Sequence, residues 1–357
     1  MRHILNVFPQ SPFFKQYLAM LKNDGLLSGH RFIVYGQGER DAEYGNASIE
    51  FLHEGVSKLA KGFILIRGAL SSRMIIIHGL QVPGVTIAFA LFPALLRKTC
   101  WALWGWDLYQ RKLAPRGPAF WLLEFFRSRF IRRVAAITTT VPGDYQLARR
   151  WYGAKARYIE NILYASHVAR PTPRVSAREI GPRPLRIQIG NSADPANGHK
   201  ELIDRLAGMP DIDFLVYAPL SYGDPDNAAE VAGYGARLLG KRFIPLLKLM
   251  GFEEYTAYLS DIDLAIFNHK RQQAMGNIIG LLSLGKKVYI RSDISPWPYF
   301  KGKGFELFDT KLAWDLSPLS AESAEKNIKA ASSAFNETAL SAAWQLVFSG
   351  AWRVRTR

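Results

Sequence analysis

Asn268–Ile290, NHKRQQAMGNIIGLLSLGKKVYI, reads as a strand end, a polar basic loop, a helix start and a further strand in one unit. The run before it, Asp263–Phe267 (DLAIF), has the apolar content of a buried strand. Gly276 and Asn277 open an apolar helix carrying Ile278, Ile279, Leu281 and Leu282, which stops at Gly285. The loop therefore sits at a helix N-terminus, where unpaired backbone N–H groups and the positive dipole end favour an anion. Arg271 adds a bidentate phosphate partner, and Gln272 and Gln273 add neutral donors. A nucleotide diphosphate suits this unit; so does the plainer reading of an ordinary polar βα loop, common in α/β proteins.

Outward from that stretch, 357 residues and 48% hydrophobic content allow two α/β domains with cores of their own. The 46 Lys and Arg against 30 Asp and Glu give a net charge of +16, so polyanions attract the chain. Nucleic acid, anionic membrane and phosphorylated substrates all fit that charge. The one cysteine, Cys100, excludes an intramolecular disulfide and a Cys-based zinc site, as expected in a reducing compartment. MRHILNVFPQ enters a strand-like run at once, without the pattern of a signal peptide. The longest apolar stretch, Val82–Leu96, is interrupted by Pro83, Gly84 and Pro93. It falls short of the roughly twenty residues of a membrane span, and reads as a core helix or an interfacial segment.

Strand-like segments occur at Ile4–Phe8, Phe32–Tyr35, Phe63–Ile66, Met74–Ile77, Cys100–Trp104 and Ala135–Thr138, with helical patterns between several of them. Arg170–Pro184, with four prolines, reads as an interdomain linker. Beyond it strands at Leu185–Ile189, Phe214–Tyr217, Arg242–Ile244, Asp263–Phe267 and Val288–Ile290 alternate with helices. The last segment, Ala321–Trp352, is helical and carries Trp344, Phe348 and Trp352 on an apolar face that needs a partner. The expected architecture is α/β of the GT-B kind, two Rossmann-like domains with parallel sheets facing across a cleft. Residues 1–170 form the acceptor-side domain, onto which a helix at about 335–357 packs back, and 171–334 the nucleotide-sugar domain.

Other constellations stand at strand ends. Gly190, Asn191 and Ser192 follow the first strand of the second half, where small and polar residues let a ligand approach the backbone; a tight turn explains them equally. His199 and Lys200 start the next helix and either reach a phosphate or are solvated. Trp101, Trp104, Trp106 and Tyr109 surround Asp107, either as a sugar-binding wall with one carboxylate or as an aromatic core. A carboxylate inside such a cluster needs a partner. His78 and Asp107, at one sheet edge, are the candidates for acid/base work at an acceptor hydroxyl or for binding, with a structural turn residue as the plainer reading of His78. Lys248 is a candidate second cation for the diphosphate.

The Asp-x-Asp pairs 211/213, 224/226 and 261/263 read as turn and cap residues, so no metal site is expected. Arg111–Arg133 interleaves seven Lys or Arg with bulky aromatics and one acid, Glu124. It suits an anionic membrane surface or a solvated helix with its aromatics turned inward. No nucleic-acid-binding pattern accompanies it. A Rossmann epimerase or dehydrogenase is disfavoured, because ILNVF is followed by PQSPFF in place of G-x-G-x-x-G.

HG at 78, WGWDLY at 104 to 109, GNS at 190 to 192, FEEYTAYLSDIDLAIF at 252 to 267 and RQQAMG at 271 to 276 together resemble glycosyltransferase family 56. These are the 4-alpha-L-fucosyltransferases, bacterial N-acetylfucosaminyltransferases that act on lipid II. The resemblance runs from about Ile64 to Ile290. It implies transfer of an amino-deoxysugar from a dTDP-sugar donor to a polyprenyl-diphosphate-linked saccharide, by a peripheral protein at the cytoplasmic face of the inner membrane. The product belongs to enterobacterial common antigen, O-antigen or exopolysaccharide synthesis. The resemblance also implies that the RQQ loop binds the donor diphosphate, and that WGWDLY and HG lie toward the acceptor. The competing reading is a basic, non-enzymatic binding protein for anionic polysaccharide or nucleic acid.

Overall fold

The structure is a computed structural model that describes residues 3–38, 44–170, 183–209 and 212–353. The expected linker falls almost wholly at 171–182, outside the described residues. The chain divides into two compact units, one of residues 1–166 with 337–357 and one of 167–336.

In the first unit seven strands form one parallel sheet, with helices between most consecutive strands. In chain order they are β1 (Ile4–Pro9), α1 (Pro12–Asn23), β2 (His30–Tyr35), β3 (Ser48–Phe51), α2 (Lys58–Ser71), β4 (Met74–His78), α3 (Pro83–Leu91), α4 (Pro93–Leu96), β5 (Thr99–Ala102), α5 (Trp106–Leu113), α6 (Pro118–Arg133), β6 (Ala136–Thr139), α7 (Pro142–Tyr152) and β7 (Arg157–Glu160). The strand order is β3-β2-β1-β4-β5-β6-β7, which reverses between β1 and β4. β1, β4 and β5 are buried along their whole length, as strands of a parallel sheet covered on both faces must be. Proline stands in the first turn of α1, α3, α4, α6 and α7, where its fixed φ suits the helix and its missing N–H is not needed.

Phe63–Ile66, strand-like in the sequence, lies inside α2 rather than in a strand. Ser57 caps that helix by accepting from the Ala60 N–H at 3.2 Å, and Leu65, Gly68 and Ala69 supply its buried stripe. A short apolar run is compatible with either state until its flanks decide. Val82–Leu96 forms α3 and α4, and among the described residues no helix is long and apolar enough to cross a membrane.

The second unit runs β8 (Leu185–Ile189), α8 (His199–Ala207), β9 (Phe214–Pro219), α9 (Pro225–Leu239), β10 (Phe243–Leu246), α10 (Phe252–Asp261), β11 (Leu264–Phe267), α11 (Met275–Ser283), β12 (Lys287–Ile290), α12 (Pro296–Gly302), β13 (Phe308–Asp309) and α13 (Ala321–Ala334). Its strands are all parallel in the order β10-β9-β8-β11-β12-β13, so the reversal falls between β8 and β11. Helix α14 (Glu337–Ser349) returns to the first unit. There Trp344 is buried, donates from Nε1 to the Leu163 carbonyl at 2.8 Å and meets the Tyr17 ring edge-on at 4.8 Å.

Candidate functional site

In open parallel sheets, ligands gather outside the carboxyl ends of the strands where the order reverses. In the second unit that place is built by the loops after β8 and β11.

The first loop leaves β8 through Gly190 at φ +63°. A Cβ there would collide with His199 Nε2 and come within 3.0 Å of Asn197 Oδ1, so glycine is required twice over. Buried Asn197 staples the loop. Its Oδ1 accepts from the Asn191 N–H at 3.1 Å, and its Nδ2 donates to the carbonyls of Ser192 and Asp194 at 3.0 Å each. Asp194 Oδ1 accepts from the Ala196 N–H at 2.8 Å.

The second loop carries Arg271, which is buried and donates from Nη2 to Asp194 Oδ2 at 2.6 Å and from Nη1 to the Gln272 carbonyl at 3.1 Å. Gln273 Nε2 donates to Asn191 Oδ1 at 3.1 Å, and Asn191 Nδ2 donates to the Tyr222 hydroxyl at 2.8 Å. Ala274 turns into α11 with φ +56°, and the first helical bond there runs from Ile278 N to Ala274 O. Hence the amides of Met275, Gly276 and Asn277 have no partner within the helix. The Asn277 side chain accepts from the Tyr255 hydroxyl.

The structure thus brings Gly190, Asn191, Ser192, Arg271, Gln272, Gln273, Gly276 and Asn277 to one sheet edge. Lys248 stands apart, in the exposed loop after β10, two strands from β8. At the β8–β10 end of the same edge, Ala193, Leu220, Tyr222, Gly223, Asp224 and Leu247 line a cavity of about 360 Å³.

Sequence reasoning missed Asp194, Asn197 and His269 and gave His199 only a passing role. Both histidines are buried at this edge. Burial lowers His199 to about 4, with Asp194 pulling the other way, and neither ring nitrogen has a hydrogen-bond partner. Burial and then the Arg271 charge lower His269 to about 3. His269 and Asp194 stand beside the loops that were read, but no spacing rule marks them.

Of the acidic pairs, Asp224 caps α9 by accepting from Asp226 N at 2.9 Å and Asn227 N at 3.2 Å. Asp261 and Asp263 pair with Arg186 and Arg183 at 3.0 and 2.7 Å. Asp211 lies outside the described residues. No group of three or more His, Cys, Asp or Glu able to hold a metal ion occurs among the described residues.

In the first unit, His78 and Asp107 do stand at the carboxyl edge, but both are fully buried. His78 stacks on Phe8 with centroids 3.6 Å apart, and its Nδ1 lies 2.8 Å from the Tyr164 hydroxyl. That hydroxyl accepts from Trp104 Nε1 at 2.8 Å, so its own proton is available for His78 Nδ1. Burial holds His78 well below the usual histidine range. Asp107 Oδ2 accepts from Trp101 Nε1 at 2.8 Å and Leu80 N at 3.2 Å, while Oδ1 accepts from Trp104 N at 3.2 Å. Burial raises its pKa, and these bonds oppose the rise. The acid/base role expected of the pair thus finds no exposed atom in either residue. In this structure Asp107 ties the turns after β4 and β5 together, and His78 packs in an aromatic box. The aromatic rim reduces to Trp104 and Trp106, which are half-buried, whereas Trp101 is core.

A family model described as 4-alpha-L-fucosyltransferase glycosyl transferase group 56 matches residues 8–299. Among solved structures, Anabaena Alr3699/HepE in complex with UDP and glucose is similar at 12% identity and TM-score 0.66, over 98% of this chain and 100% of that one. A glycosyltransferase from Rickettsia africae ESF-5 is similar at 11% identity and TM-score 0.65, over 99% of both chains. Sucrose-phosphate synthase from Thermosynechococcus elongatus is similar at 13% identity and TM-score 0.65, over 98% of both. At these identities the likeness is one of fold, and the fold is GT-B.

Proposed function

The chain belongs to the 4-alpha-L-fucosyltransferase glycosyl transferase group 56 and is a nucleotide-sugar glycosyltransferase; on that premise we propose its donor, its acceptor and the residues that serve them. The donor is a dTDP-activated amino-deoxysugar of the N-acetylfucosamine type, and the acceptor is a saccharide carried on a polyprenyl diphosphate. The reaction serves bacterial cell-surface polysaccharide synthesis, by a peripheral protein at the cytoplasmic face of the inner membrane. One observation carries the donor reading: buried Arg271 and the unpaired amides opening α11 share an edge with the glycine turn after β8. That is a cationic, donor-rich place for a diphosphate.

As the glycosidic bond to the sugar breaks, negative charge grows on the diphosphate. Arg271 and the amides of Met275, Gly276 and Asn277 stabilise it there, already oriented before the reaction begins. Asp194 is the carboxylate paired with Arg271; the diphosphate takes its place at the guanidinium. Gln272, Gln273, Asn191 and Ser192 supply neutral donors and acceptors around it. The nucleoside lies toward the cavity beside Tyr222, and Lys248 contributes only long-range charge. With Arg271 and a helix dipole neutralising the leaving group, no metal is needed. Asp107 and His78 serve the acceptor side as positioning residues, by fixing the turns that carry Trp104 and Trp106.

The test is product analysis after incubating the protein with dTDP- and UDP-sugars and a polyprenyl-diphosphate saccharide, with and without a chelator. Transfer from a dTDP-sugar that survives chelation is expected. Transfer from UDP-sugars alone, or to a soluble acceptor alone, would overturn the assignment of donor or acceptor.

A further inference from the structure

The net charge is strongly uneven along the chain. Between Gly55 and Ile159 there are seventeen Lys and Arg but only three acids, Asp107, Glu124 and Asp144, so this segment carries +14 of the total +16. All three acids are buried. Glu124 is already committed to Arg127 at 2.7 Å and to Arg111 at 3.0 Å, and Asp144 accepts from the Tyr109 hydroxyl at 2.8 Å. The solvent side of this segment is therefore basic without acidic relief.

The same segment exposes large apolar side chains. Helices α2, α3 and α6 pack side by side on one face of the first sheet, their inner residues joining a single core and Phe89 of α3 meeting Phe130 of α6 at 6.3 Å. Their outer sides present Phe63, Leu91, Phe92, Trp121, Leu122 and Phe125, each between 50% and 68% exposed. Scattered single apolar residues on a surface are ordinary, but a group of this size on adjacent helices marks an interaction site. Along α6, Phe125, Ser128, Arg129, Arg132 and Arg133 line a shallow hollow of about 250 Å³, with the Arg129 guanidinium 5.5 Å from the Phe125 ring centre. Guanidinium groups beside exposed aromatic rings suit the phosphate level of a lipid bilayer, where rings enter the headgroup boundary and cations meet the lipid phosphates.

We infer that the outer sides of α2, α3 and α6 form a docking surface for an anionic phospholipid bilayer. The premise taken from the proposed function is that the acceptor is held in a membrane; the donor site plays no part in it. The charge bias is what singles out a membrane over a second copy of this chain, since two copies would face each other with like charge.

Sedimentation with vesicles tests this on the full chain. The protein should pellet with vesicles of phosphatidylcholine mixed with phosphatidylglycerol, release as salt is raised, and stay in solution with pure phosphatidylcholine. A variant joining Trp121→Ser, Leu122→Ser and Phe125→Ser, and a second joining Arg129→Gln, Arg132→Gln and Arg133→Gln, should each lower vesicle partition about tenfold or more. Both should bind free dTDP as the parent does, which also verifies that they are folded. Arg271→Ala should pellet normally, so a failed donor site and a failed docking surface give different results. Equal partition of parent and variants overturns the inference. So does a parent that elutes as a dimer while the apolar variant elutes as a monomer, because the face then pairs two copies.

Discussion

Asn197→Ala isolates the loop after β8 from the rest of the site. The side chain is fully buried and makes three good hydrogen bonds within the loop, one accepted at 3.1 Å and two donated at 3.0 Å. Each such bond contributes about 1 kcal/mol net, and its loss here leaves a buried backbone partner unpaired. The expected cost is therefore about 2–4 kcal/mol. The second unit spans residues 167–336; for a domain of that size this cost lowers its melting transition by roughly 6–12 °C. Because Asp194 and Asn191 ride on the same loop and hold Arg271 and Gln273, donor binding should weaken in step. Calorimetric melting and a dTDP titration of the same preparation read both effects. A loss below about 0.5 kcal/mol with unchanged dTDP affinity would refute the claim that Asn197 organises this edge.

Two more outcomes follow from the same geometry. Asp194→Asn keeps the oxygen that caps Ala196 but removes the charge paired with Arg271. With the carboxylate about one-third exposed, stability should drop by only about 1–2 kcal/mol, less than for a fully buried pair. Titration should show dTDP binding tighter at low salt, and weaker binding would contradict the displacement of Asp194 by the donor. Acid should destabilise the second unit: His199 and His269, lowered by burial to about 4 and about 3, stay neutral when folded while the unfolded chain protonates near pH 6.5. Their contribution is intact above pH 6.5 and falls as the pH drops toward 4, each losing on the order of 2 kcal/mol by pH 5. Denaturant titrations at pH 7 and pH 5 check this, and a His199→Gln variant should flatten the dependence.

Much of this was legible in the chain because the decisive residues sit directly after strands. DLAIF and LRIQI are short, apolar and bounded by polar turns, so β8 and β11 and the loops that leave them are found by pattern. Arg271, Gln273, Asn191 and Gly190 come together because parallel strands deliver their carboxyl ends to one edge. Strands β3 (SIEF) and β7 (RYIE) were missed because they are edge strands with charged residues and partial exposure, which blunts the apolar signal. The Asp194–Arg271 pair spans 77 residues and depends on which strands are neighbours. Position at a strand end did not reveal how deep a side chain lies. Asp107 and His78 are at the edge but under it, because Trp101, Trp104 and Tyr164 close over their polar atoms.

The most direct measurement is calorimetric titration of dTDP into the parent protein and into Arg271→Ala. Charge-assisted hydrogen bonds from a buried guanidinium to a diphosphate predict a loss of about 2–4 kcal/mol, roughly thirtyfold to a thousandfold in affinity, with the fold intact. Equal affinity in the two proteins would contradict the placement of the donor diphosphate at the opening of α11.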